Sequence, residues 1–98
     1  MANHLEQALV LANKDFNLDI SAAEVSTTED FQQILTKIIR HLLDNDFERL
    51  LNALYHIDVS EEKVKLAMAT GDDVPGQIAL LIIEREMQKV ITREKYRS

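Results

Sequence analysis

The chain has 98 residues with no cysteine or tryptophan, two glycines, one proline and a formal net charge of −6. The missing thiols exclude disulfides, thiolate metal sites and cysteine nucleophiles, and the acidic balance disfavours non-specific binding to nucleic acid or anionic lipid. With 46% apolar residues but only 5% aromatics, one domain spanning residues 1–98 is expected, with a Leu/Ile/Val/Ala core and a radius of gyration of about 13 Å. So small a core leaves little room for a deep cofactor cavity. Scarce glycine and proline argue against a sheet-rich fold. Met1 to Glu6 lack the basic and apolar regions of a secretory signal. No apolar run approaches the roughly 18 residues of a membrane span, so a cytoplasmic location is expected.

Leu5, Ala8, Leu9, Ala12 and Phe16 follow the 3.6-residue period and predict a first helix over 3–14. Asn17 to Val25 lose the period and read as a connector, with a short turn of helix at 22–25. Ser26-x-x-Glu29 and the overlapping Thr27-x-x-Asp30 are both capping boxes. Either starts a second helix over 27–43, with Phe31, Ile34, Leu35, Ile38, Ile39 and Leu42 as its apolar stripe. Asp44-Asn45-Asp46 can end that helix and cap a third over 46–56, whose inner face is Phe47, Leu50, Leu51 and Leu54. Ser60 caps a fourth over 61–70, with Val64, Ala67 and Met68 inward and Gly71 at its end. Asp72 or Asp73 caps the last, over 74–96, with Pro75 tolerated in its first turn.

That last helix changes character halfway. Ile78 to Ile83 are apolar on every side, which predicts burial all round. Arg85, Lys89, Arg93 and Arg97 then recur every fourth residue along one edge. Like charges at this spacing repel by a few tenths of a kcal/mol per pair. An anionic surface should therefore face the row: the acidic remainder of the chain, a second copy, or a separate partner. A solvated edge is the simpler alternative, since cations near a helix C-terminus suit the macrodipole. Leu80, Ile83, Met87 and Val90 lie beside the row with the spacing of a short coiled-coil seam or of a core face.

Other constellations are weaker. Asp44-x-Asp46-x-Glu48 echoes a calcium loop, but Arg49 and Tyr55 stand where that loop needs glycine and a bidentate glutamate. His4, His41 and His56 form no zinc-binding pattern. The third and fourth helices have a helix-turn-helix outline, yet Asp58, Glu61 and Glu62 put negative charge where phosphate would approach. Glu84 and Glu86 project about 200° apart around a helix and cannot work as an acid/base pair. No phosphate loop, nucleophile elbow or metalloprotease motif occurs. No catalytic residue, cofactor or metal is expected.

The stretches Asp46-Phe-Glu-Arg-Leu-Leu-Asn-Ala-Leu-Tyr-His-Ile-Asp-Val-Ser-Glu-Glu-Lys63 and Ile82-Ile-Glu-Arg-Glu-Met-Gln-Lys-Val90 resemble a group of small all-helical bacterial proteins of unassigned function. The resemblance covers about half the chain and implies a bacterial, cytoplasmic origin with no catalytic residues to carry over. The expectation is an all-α bundle of four to five helices with a long C-terminal helix. Its expected role is a non-enzymatic interaction or regulatory module whose partner is another protein or a second copy. The docking residues would be Arg85, Lys89, Arg93, Arg97, Met87 and Val90 on the C-terminal helix. The alternative is a nucleic-acid-associated regulator using the basic C-terminal tip.

Overall fold

Side-chain caps set where each helix begins. In the computed structural model, which describes residues 3–96, five α-helices follow one another: α1 (His4–Phe16), α2 (Thr28–Asn45), α3 (Phe47–Ile57), α4 (Glu61–Thr70) and α5 (Val74–Lys95). A single 3-10 turn, Ala22–Glu24, interrupts the α1–α2 connector. No strand occurs among the described residues. Asn3 caps α1 by accepting from the Glu6 N–H at 2.7 Å. At α2 the second of the two overlapping boxes is used. Thr27 Oγ1 accepts from the Asp30 N–H at 3.1 Å, while Asp30 accepts from the Ser26 and Thr27 N–H groups at 3.0 and 3.2 Å. Asp46, Ser60 and Asp73 cap α3, α4 and α5. The carboxylates in these first turns face the positive ends of the helix dipoles.

The helix ends depend on left-handed backbone. α1 runs to Phe16, beyond the expected 14, because Asn17 adopts φ 54° and closes the last turn. Asp58 does the same for α3 at φ 68°, and Gly71 for α4 at φ 67°, where glycine carries no steric penalty. α2 continues two residues past its expected end, to Asn45. Gly76, in the first turn of α5, has a different reason for lacking a side chain: a Cβ there would overlap the Asp73 carboxylate that caps the helix.

α5 is the spine. It packs most extensively against α2 and α1, and also touches α4 and α3. Its 22 residues give about 33 Å of helix at 1.5 Å per residue, in a molecule measuring 41 × 27 × 21 Å. The radius of gyration is 13.2 Å, matching the expectation for one domain of this length. Phe31, Leu35 and Ile39 of α2 are fully buried with Ile78 and Ile82 of α5 and Leu50 and Ile57 of α3. Each such side chain stabilises by about 1.5–3 kcal/mol relative to exposure. Ala8, Ala12 and Ala79, all 0% exposed, are small enough to let helices approach closely.

The expectation that Ile78–Ile83 is buried all round is corrected. Leu80 is 39% exposed and Leu81 half-buried, because α5 covers the others from one edge of the bundle and keeps a solvent side. The α1–α2 connector is less irregular than its sequence suggests. Asn13 donates to the Ile20 carbonyl and accepts from the Ile20 N–H, both at 3.0 Å. These two hydrogen bonds tack the connector to α1, and Ile20 and Val25 lie in the core. No helix among the described residues is long and apolar enough to cross a membrane.

Candidate functional site

Two of the four cations in the basic row on α5 are answered from within the chain. Arg85 crosses to the C-terminal end of α3: its Nε donates to the Asp58 carbonyl at 3.1 Å, and Nη2 lies 3.4 Å from the Asp58 carboxylate. Its Nη1 donates to Gln88 at 3.0 Å. The guanidinium thus meets both the negative end of the α3 dipole and a carboxylate. Lys89 Nζ lies 3.3 Å from Glu86 Oε1 and is mostly covered. Of the three possible anionic surfaces, the acidic remainder of the same chain is the one facing these two cations. Arg93 is exposed, and Arg97 lies outside the described residues. Met87 is half-buried, and Val90, at 2% exposure, belongs to the core. The tip keeps Arg93 and Lys95 exposed, while its Glu94 accepts a 2.7 Å contact from His4 Nε2 across to α1.

Among the described residues the broadest uncovered apolar face lies on α3 and α4, next to Asp58. Phe47, Leu51 and Tyr55, one turn apart along α3, are 40, 44 and 83% exposed. Met68 of α4 is 41% exposed. Leu51, Phe47 and Met68 were expected on inner faces, and that expectation is corrected. An eleven-residue helix carrying Phe47, Leu50, Leu51, Ala53, Leu54, Tyr55 and Ile57 has apolar residues over more than one face. Leu50 and Ile57 win the core and the Phe47–Leu51–Tyr55 stripe is left outside. With Val64 and Met68 of α4 the stripe lines an open groove of about 620 Å³, edged by Asp58, Glu61 and Lys65. The excess of apolar residues on α3 is the sequence signal that marks this face.

A second feature was missed altogether. Glu86 is 0% exposed, and neither carboxyl oxygen has a hydrogen-bond partner. Lys89 sits close but is not aligned for a hydrogen bond. Burial away from water, reinforced by the neighbouring Asp15 carboxylate on α1, raises the Glu86 pKa from 4.5 to about 7, with Lys89 opposing the shift. Asp15 is itself nearly covered and lies 3.3 Å from His56 Nε2 of α3. Beside it, Arg49 donates to the Phe16 carbonyl at 2.7 Å, satisfying the C-terminal end of α1. The signal was legible: Ile78, Ile82, Glu86 and Val90 stand every fourth residue, so Glu86 lies on the buried stripe of α5.

The histidines do meet carboxylates on other elements, His4 with Glu94 and His56 with Asp15, which their sequence spacing did not reveal. His41 instead bonds within its own helix, to Asn45 at 3.2 Å. Asp46 is a helix cap rather than part of a calcium loop. Among the described residues no group of three or more His, Asp or Glu side chains is arranged to hold a metal ion. No protein-family model, curated protein or solved structure matches the chain.

Proposed function

We propose that this protein is a non-enzymatic interaction module that docks through the α3–α4 groove, and that its partner there is a second copy of the chain. The reading rests on one observation: the exposed stripe Phe47–Leu51–Tyr55 on a helix whose opposite face is already in the core. Apolar patches rimmed by polar groups mark association surfaces. This moves the docking face from the C-terminal helix, whose central cations Arg85 and Lys89 are occupied internally, to α3.

A second copy suits the stripe because the stripe is its own complement. A two-fold axis through Leu51 makes the two α3 helices antiparallel. It sets Leu51 against Leu51 and Phe47 against Tyr55 of the other copy, an isologous contact with two aromatic pairs. The α4 helices then flank the seam, giving a four-helix arrangement across the interface. Helices of eleven and ten residues supply fewer side chains than the roughly 20–30 per side of a standard interface. Association in the micromolar range or weaker is expected.

The absence of native cysteine allows a direct test. A Leu51→Cys variant should form a disulfide-linked dimer under mild oxidation, because the two-fold axis brings the two sulfurs together. Leu66→Cys, exposed on α4 but outside the groove, serves as the collision control and should remain monomeric. Equal cross-linking of both variants, or none at position 51, contradicts the proposal.

A further inference from the structure

The joint between α1 and α5 holds an arrangement that the docking face does not use. Glu86 is sealed in the core without a hydrogen bond, and the Asp15 carboxyl of α1 stands next to it. Two ionised carboxylates are both acceptors, so they cannot bond to each other and they repel. A proton on one of them creates an O–H donor facing an acceptor and removes the repulsion at once.

The surroundings decide which carboxyl takes the proton. On α3, His56 lies 3.3 Å from Asp15, and the Arg49 guanidinium bonds to the carbonyl of the next residue, Phe16. Both stand on the Asp15 side of the pair. On α5, Lys89 is the cation beside Glu86 among the described residues, and it offers no aligned hydrogen bond. α2 and α4 turn only apolar residues to the core, with Phe31, Leu35, Ile39 and Leu42 on the one and Val64 and Ala67 on the other. Glu86 is therefore the proton-bearing member.

We propose that Glu86 and Asp15 share one proton across the α1–α5 interface, and that its loss as pH rises through neutrality loosens α1 from the bundle. The direction follows from linkage. The folded form holds the proton more tightly than the unfolded chain, so the unfolding equilibrium shifts toward the open form as pH rises. With Glu86 titrating at about 7 rather than 4.5, the change in the unfolding constant between pH 5 and pH 8 is on the order of a hundredfold. α1 carries this response because it holds Asp15, the carboxylate that faces Glu86 across its seam with α5.

The test is amide hydrogen exchange and denaturant unfolding from pH 5 to 8, corrected for intrinsic exchange. In the wild-type chain the α1 amides should lose protection as pH rises, and the unfolding midpoint should fall. Glu86→Gln keeps the shape and supplies a permanent donor to Asp15, so its profile should lose most of its slope. Asp15→Asn removes the repulsion alone and should give a reduced slope, which keeps the test informative if Glu86→Gln folds poorly. Histidines also change charge in this range, so His4→Gln/His56→Gln is the control and should retain most of the slope. A flat wild-type profile, a slope unchanged in Glu86→Gln, or a slope abolished by the histidine pair would each overturn the proposal.

Discussion

α5 and α3 depart from the hydrophobic rule in opposite directions. α5 sinks a carboxylic acid to 0% exposure, whereas α3 leaves two aromatic rings and a leucine in water. The difference lies in position rather than composition. α5 touches every other helix, so any residue on its inner stripe is covered, polar or not. α3 meets the rest of the bundle on one side, so its surplus apolar residues stay outside. Burial here follows the place of a helix in the bundle.

The strongest way to break this comparison is to remove packing from each region in turn. Ile82→Ala, at a 0% exposed position of α5, should cost about 2–5 kcal/mol in urea unfolding, enough to threaten the fold. Leu51→Ala on α3 should cost under about 1 kcal/mol in the same measurement. Similar costs for both would mean that the α3 stripe is part of the core.

The buried acid gives a prediction with a pH sign. Its folded pKa of about 7 lies above the ordinary 4.5. The stability it contributes is fully present below pH 4.5 and lost as pH rises through 7. Glu86→Gln should therefore be more stable than wild type at pH 8 by about 2–3 kcal/mol and nearly equal to it at pH 5. Chemical denaturation at the two pH values checks this, and a gain of equal size at both would contradict it.

Much of the fold was legible from sequence because its signals are local. Ser60, Asp46 and the Thr27/Asp30 box announce helix starts, Gly71 announces a stop, and the stripe Phe31–Leu35–Ile39 repeats over three turns of α2. The less legible parts depend on contacts distant in sequence. Nothing near Asp15 says that it will face Glu86, 71 positions later, or that Arg85 will cross to Asp58. The same holds for His4 and Glu94. The exposed stripe on α3 depended on knowing which of two apolar faces the bundle would choose. Arg85 and Lys89 of α5 meet carboxylates of the same chain, while Arg93 stays exposed, and the sequence alone does not choose between those outcomes.

Two smaller effects sharpen the picture of the joints around these regions. Asn13→Ala removes both hydrogen bonds that tack the connector to α1 at Ile20 and should cost about 1–2 kcal/mol, with faster hydrogen exchange in residues 18–25. Gly71→Ala forces a Cβ into left-handed backbone at φ 67° and should cost about 1 kcal/mol. Thermal unfolding reads that loss. No added Cβ contact lies within 4 Å, so a much larger loss would point to a cause other than backbone conformation.

The central claim is that the uncovered α3 stripe is an interface, and sedimentation velocity over a wide concentration series tests it most directly. The wild-type chain should move from monomer to dimer as concentration rises through the micromolar range and beyond. Leu51→Glu should remain monomeric throughout with its helicity intact, since it places two like charges on the two-fold axis. A wild-type chain that stays monomeric at every concentration, or a Leu51→Glu variant that associates as well as wild type, would contradict the account.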